Sequence, residues 1–259
     1  MLAAGMPQDP KIKKAILDTV RGKLVAWDPI RQKQAWAIDR PGPWNGGTLA
    51  TAGNLVFEGT AGGRFDAYRA DTGEKVWSFD AQTGVIAGPV TYTVKGEQYV
   101  AVLAGWGGVL PLAAGEVAFK SGHMRNVSRV LAFKIGGKAT LPSSPEFETP
   151  RLNPPPSTAS ADEIRHGEAV FQRYCSGCHG DVGVGGGVLP DLRYSEFLKN
   201  DRWFAIVRDG MLQSQGMVGF GKEVSQEDAA AIRSYVIFRA NETLKQAKDA
   251  EKGSAQQKP

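Results

Sequence analysis

At 259 residues, with 42% hydrophobic and 22% charged residues, the chain exceeds one average globular domain and is expected to form two. Its formal charge of +4 comes from 31 Lys and Arg interleaved with 27 Asp and Glu, without a dense cationic block, which speaks against a nucleic-acid-binding surface. Two cysteines leave no second pair to complete a four-ligand zinc site.

Met1-Leu2-Ala3-Ala4-Gly5-Met6-Pro7 holds no sustained apolar run and Lys11-Ile12-Lys13-Lys14 follows, so no export signal is legible there. Residues 1–135 read as β-structure. Ala26-Trp27-Asp28-Pro29-Ile30-Arg31-Gln32-Lys33-Gln34-Ala35-Trp36 lies over Ala67-Tyr68-Arg69-Ala70-Asp71-Thr72-Gly73-Glu74-Lys75-Val76-Trp77, an internal repeat of 41 residues between Trp36 and Trp77. That period suits a four-stranded propeller blade of about 40 to 50 residues. Strands are expected at Leu55–Glu58, Arg64–Tyr68, Lys75–Phe79 and Gln98–Leu103, with tight turns at Gly62-Gly63 and Asp71-Thr72-Gly73. A propeller ring needs about four to eight blades and this region holds material for roughly three, so the ring is expected to need blades from elsewhere, such as a partner chain. Tyr99–Gly115 is uncharged, but it is short for a bilayer and holds Gly105, Gly107, Gly108 and Pro111; it reads as a buried strand followed by a loop, and no transmembrane segment is expected.

Residues 136–160 read as a proline-rich linker, with Pro142, Pro145, Pro150, Pro154, Pro155 and Pro156 among polar residues. Residues 161–245 read as a small all-α domain. Ser160-Ala161-Asp162-Glu163 is a capping box for a helix to Tyr174, with Ile164, Ala169, Val170, Phe171 and Tyr174 on its apolar face. A second helix is expected over Asp201–Asp209 with Trp203, Ile206 and Val207 inward. A last one starts at Gln226, capped by Ser225, and buries Ile232, Tyr235 and Val236. Beyond about Asn241 the polar sequence is expected to fray, leaving residues 246–259 as a flexible tail.

Cys175-Ser176-Gly177-Cys178-His179 is the attachment pattern for covalent haem c. Thiols three positions apart lie about one helical turn from each other and reach one porphyrin edge, and His179 supplies one axial ligand. A thioredoxin-like dithiol fits less well, because no strand precedes the pair and His follows directly; a disulfide at this separation is strained. For the second axial ligand, Met6 and Met124 lie outside the helical domain. His166 reads as a partly exposed helix residue and Met211 as a core residue. Met217, in the loop Gly216-Met217-Val218-Gly219-Phe220, is the expected ligand to iron opposite His179.

Pro43-Trp44-Asn45-Gly46-Gly47, the Ala-to-Trp repeats, Ala104-Gly105-Trp106-Gly107-Gly108 and the C-terminal C-x-x-C-H domain together resemble the periplasmic quinohaemoprotein alcohol dehydrogenases, over nearly the whole chain. The resemblance implies a partial all-β propeller, the last blades of an eight-bladed ring that binds pyrroloquinoline quinone (PQQ) and calcium, followed by an all-α cytochrome c domain. It implies Cys175 and Cys178 as haem attachment sites, His179 as proximal ligand and Met217 as the methionine of a Gly-Met-x-x-Phe pattern. Pro190 would accept the remaining ring proton of His179, and Trp44 and Asn45 match the segment that approaches the quinone, against ordinary packing or turn roles. The family's catalytic aspartate, calcium-binding acid and adjacent-cysteine disulfide lie in earlier blades without counterpart here, so no catalytic residue is assigned. Gln32 stands where the repeat usually has glycine, and Arg69 where it has an acid. The implied function is electron transfer from reduced quinone through haem c to a periplasmic acceptor protein or the respiratory chain. The alternatives are a dedicated cytochrome whose partial propeller docks a partner, and a truncated remnant.

Overall fold

The computed structural model describes residues 9–108, 115–122, 126–144 and 151–255. These fall into two compact units, one of 9–144 with 186–188 and the other of 151–185 with 189–255. Met6, Pro111, Met124, Pro145 and Pro150 lie outside the described residues.

The first unit opens with a helix that the β-reading of this region missed, α1 (Pro10–Thr19). Asp9 caps it, accepting from the N–H groups of Lys11 and Ile12, and Pro10 takes the first turn, where no N–H is needed. Antiparallel strands β1 (Gly22–Asp28) and β2 (Lys33–Arg40) form a two-stranded sheet. The second sheet is a four-stranded meander of β3 (Thr48–Thr51), β4 (Leu55–Gly59), β5 (Arg64–Arg69) and β6 (Lys75–Asp80). The third has three strands, β7 (Val90–Val94), β8 (Glu97–Ala104) and β9 (Arg129–Phe133).

The 41-residue repeat is structural. A register shift at Ala26/Trp27 recurs at Ala67/Tyr68, and the left-handed turn residue Gln32 (φ 50°) recurs as Gly73 (φ 75°). Thus β1 and β2 correspond to β5 and β6, the last two strands of a four-stranded blade. Trp36 ties the first sheet to the second: its indole N–H donates to the Ala70 carbonyl (2.9 Å), and its ring covers Gly73, where a Cβ would stand 2.7 Å from Trp36 Cδ2. One repeat later Trp77 meets Phe133 of β9 edge to face, with centroids 5.2 Å apart. Phe65, Val85, Val102 and Leu131 are buried between the second and third sheets. The stretch expected as a buried strand alternates instead, with Val100, Val102 and Ala104 inward and Leu103 outward, because β8 buries one face only.

In the second unit α2 (Ala161–Tyr174) starts where Ser160 accepts from the Glu163 N–H (3.2 Å). A one-turn helix α3 (Ser176–His179), a short α4 (Arg202–Val207) and the long α5 (Gln226–Ala255) follow. Phe171, Trp203, Val207, Val224, Ile232, Tyr235 and Val236 form its core. Ala169, expected on the inner face of α2, is exposed, because the buried stripe runs through Gly167 and Phe171. The expected fraying beyond Asn241 is also corrected: α5 continues to Ala255, its polar sequence being rich in good helix formers. Asn241 itself donates to the Pro155 carbonyl (2.9 Å), fastening the end of the proline-rich segment to α5.

Candidate functional site

Helix α2 ends at Tyr174, and the chain turns at Cys175 into α3, with the N–H groups of Cys178 and His179 both donating to the Cys175 carbonyl (3.1 and 2.9 Å). The two thiols, one buried and one exposed, therefore sit one turn apart and are not joined as a disulfide. Burial, with a smaller contribution from Cys178, pushes the Cys175 thiol up to about 12, so it stays protonated at neutral pH and is a poor dithiol-exchange centre. His179 is buried, and burial lowers its pKa against the opposing pull of the Pro190 carbonyl and Asp191. Its Nδ1–H donates to that carbonyl (3.2 Å), which leaves the Nε2 lone pair as the metal-binding position. Gly185 makes the contact possible: a Cβ there would stand 2.5 Å from Leu189 O and 2.7 Å from Asp191 N, so only glycine lets the loop fold back to present Pro190. Two free thiols one turn apart and a neutral imidazole with one nitrogen committed are the donor set that haem c requires, and the residues fit the group.

Met217 lies on the loop after a 3-10 turn at Gln213–Gln215; Gly216 is left-handed (φ 95°) and the Met217 N–H donates to Leu212 O (3.2 Å). The loop is fixed at its end. Gly219 packs on Gly210 and Arg208 with no room for a side chain, the Phe220 N–H donates to Val207 O (2.9 Å), and the Phe220 ring lies 6.1 Å from that of Tyr174, which adjoins Cys175. The other two candidates are placed differently. Met211, expected in the core, is 45% exposed, because the turn at Gly210 carries it outward. His166 is exposed as expected, and its Nε2 donates to Asp228 (2.7 Å), across α2 and α5.

Trp44 and Asn45 belong to the first unit. Both ends of the Asn45 amide serve the backbone: Oδ1 accepts from the Ala61 N–H (3.2 Å) and Nδ2 donates to Gly42 O (3.0 Å), while the Gly46 N–H donates to Gly59 O (2.8 Å). Asn45 therefore staples this loop to the end of β4, and Trp44 stands partly exposed beside Gly108. Behind the staple is a buried network that sequence reading missed. Arg40 pairs with Glu58 and donates to the Tyr68 hydroxyl (2.9 Å), which donates to Asp66 (2.7 Å), itself paired with Lys75 (2.9 Å). Glu58 lies on β4 and Asp66 and Tyr68 on β5, with Arg40 on β2 and Lys75 on β6, and nothing in their spacing marks them as partners.

Two family descriptions match the chain: "Glucose/ethanol/alcohol dehydrogenase, beta-propeller domain" over residues 9–100, and "Cytochrome C oxidase, cbb3-type, subunit III" over residues 162–236. The dehydrogenase subunit of the quinone alcohol dehydrogenase of Acetobacter aceti is 42% identical over 255 residues, 97% of this chain and 34% of the relative. Quinohemoprotein alcohol dehydrogenase ADH IIB of Pseudomonas putida is 43% identical over 93% of this chain and 34% of its own length. The solved structure of the ADHIIG enzyme from Pseudomonas putida HK5 superposes with a TM-score of 0.78 at 44% identity, covering 85% of this chain and 32% of that one. The chain thus spans about a third of the length of these relatives. Among the described residues no helix is long and apolar enough to cross a membrane. With its propeller sheets followed by a helical cytochrome c domain, the chain corresponds to the C-terminal portion of a PQQ-dependent quinohaemoprotein alcohol dehydrogenase.

Proposed function

We propose that this chain is the electron-output portion of a PQQ-dependent alcohol dehydrogenase of the periplasm. Cys175 and Cys178 would hold haem c, His179 and Met217 would ligate its iron, and the group would pass electrons on to an acceptor protein or the respiratory chain. When bound, the haem supplies one-electron chemistry and the quinone, with calcium, two-electron oxidation of an alcohol. The observation that carries the reading is the hydrogen bond from His179 Nδ1 to Pro190, which leaves Nε2 free to ligate, on a residue next to Cys178 and one turn from Cys175. Burial disfavours the charged form of His179, and the anchored Phe220 steadies the loop that carries Met217. Ligation by the Met217 thioether together with the His179 imidazole would raise the potential.

Trp44 and Asn45 are the proposed quinone-side segment, with Trp44 offering a flat face and Asn45 positioning it. Alcohol oxidation requires the rest of the ring, in a longer polypeptide or a partner chain. Sheets of two, four and three strands support this, since the outer two carry large apolar residues in solvent: Trp27 at 60% exposure on β1 and Val130 at 74% on β9.

The test is a visible spectrum of the chain produced with export and haem maturation, oxidised and reduced, alongside Met217→Ala. Loss of the methionine-to-iron charge-transfer band in the variant, with covalent haem retained, is the expected result. A parent protein without covalent haem overturns the proposal. Recovery as a monomer with reversible haem redox chemistry and no blade-bearing partner favours a dedicated electron-transfer protein.

A further inference from the structure

Pro190 is followed by an ion pair that the haem site does not itself require. The Asp191 carboxylate accepts from Arg193 twice, Oδ1 from Nε (2.9 Å) and Oδ2 from Nη2 (2.6 Å), and Oδ1 also accepts from the Arg193 backbone N–H (3.1 Å). Arg193 Nη1 donates to Thr243 Oγ1 (3.0 Å), and that hydroxyl donates in turn to the Arg239 carbonyl (3.0 Å). Both charged side chains are largely buried. A two-pronged pair of this kind fixes geometry as well as charge. Here it runs from the peptide that follows Pro190 to α5, into the stretch past Asn241 whose polar sequence gives no sign of a role. The loop end it grips carries the carbonyl that receives the His179 Nδ1 proton.

We infer that Asp191, Arg193 and Thr243 form a positioning brace that sets how strongly Pro190 accepts from His179, and through that bond the reduction potential of the haem. The inference rests on the haem reading above. A firmly held acceptor draws the Nδ1 proton outward, gives the ring more imidazolate character and makes Nε2 a stronger donor. Stronger donation stabilises ferric over ferrous iron, so the brace lowers the potential and loosening it raises the potential. The pair is neutral as a whole, so its effect passes through geometry. Substitutions that preserve charge isolate it.

The experiment is spectroelectrochemical titration of the full haem-loaded chain, its Arg193→Lys and Thr243→Val forms, with haem content read from the pyridine haemochrome. Arg193→Lys keeps the charge and loses the two-pronged grip; Thr243→Val keeps the shape and loses the anchor on α5. At a fixed applied potential both are expected to hold more ferrohaem than the parent, by roughly threefold to tenfold, the scale of one hydrogen bond. Faster solvent exchange of the His179 Nδ1 proton is expected in both. Unchanged potentials in the two variants, with covalent haem and the methionine band intact, overturn the brace while leaving the haem reading standing. Absence of covalent haem in the parent overturns the haem reading itself. Should Arg193→Lys not fold, Thr243→Val alone decides, since it removes a single hydroxyl.

Discussion

Gly167 of α2 lies against Ala231 of α5 with no space for a side chain: a Cβ there would stand 2.5 Å from the Ala231 carbonyl carbon and 3.0 Å from Tyr235 Cβ. A glycine inside a helix costs about 1 kcal/mol relative to alanine, and here that cost allows the two longest helices of the cytochrome unit to meet. Gly167→Ala is expected to destabilise this unit by about 1 to 2 kcal/mol, overpacking outweighing the gain in helix propensity. Chemical denaturation followed by the Soret band measures it, and a stabilised variant would refute the argument.

Gln32 and Gly73 occupy the same turn in successive repeats with opposite consequences. Gln32 sits at φ 50°, where a residue with a Cβ is strained, so Gln32→Gly is expected to be neutral to stabilising by up to about 1 kcal/mol. Gly73→Ala meets the same strain and also the Trp36 ring, and is expected to cost about 2 to 3 kcal/mol. The urea midpoint of the propeller unit should therefore fall for Gly73→Ala and hold or rise for Gln32→Gly.

The Asp228 carboxylate accepts from the Ser225 backbone N–H (3.2 Å) and from His166 (2.7 Å), and these two bonds, in that order, hold its pKa below the ordinary value. A lowered carboxyl pKa contributes stability above the unfolded value of about 3.9 and loses it as pH falls through the folded value. The acid limb of the melting-temperature profile should accordingly be shallower in Asp228→Asn than in the parent. Equal limbs would mean that the capping carboxylate does not act through its charge.

Asn45→Ala removes the acceptor of the buried Ala61 N–H together with the donor to Gly42, at a cost of about 1 to 3 kcal/mol. Asn45→Asp keeps the acceptor and loses the donor, so it should fall between the parent and the alanine variant. Amide exchange at Ala61 reads the difference directly: fast in the alanine variant, protected in the aspartate variant.

The 41-residue repeat was legible because alanine, a polar turn and tryptophan recur in one order, and each does something physical, the first marking the bulge, the second the left-handed turn and the third the docking ring. The haem motif was legible because its chemistry lies within five consecutive residues. Helix α1 was passed over although Asp9 and Pro10 mark its start, since the strand pattern around it dominated the reading. The length of α5 was missed for another reason. Past Asn241 the helix is held by propensity and by Thr243 and Asn241, not by a continuous apolar stripe, so hydrophobic periodicity fades while the helix does not. Arg193 and Thr243 are 50 residues apart, and Arg40 and Glu58 lie on different sheets, pairings that folding alone creates.

Trp36 on Gly73 and Trp77 on Phe133 join each sheet to the next in a row, and stability in such a row is close to a sum over neighbours, as in a one-dimensional chain of coupled spins. The sheet of β1 and β2 is then an end unit, with Trp27 and Val25 turned to solvent, and it opens at lower free energy than the four-stranded sheet beside it. Amide protection should rise from β1 to β5 in the isolated chain and level out once a further blade is seated. Adding that blade turns an end unit into an interior one, so its effect reaches strands that it never touches.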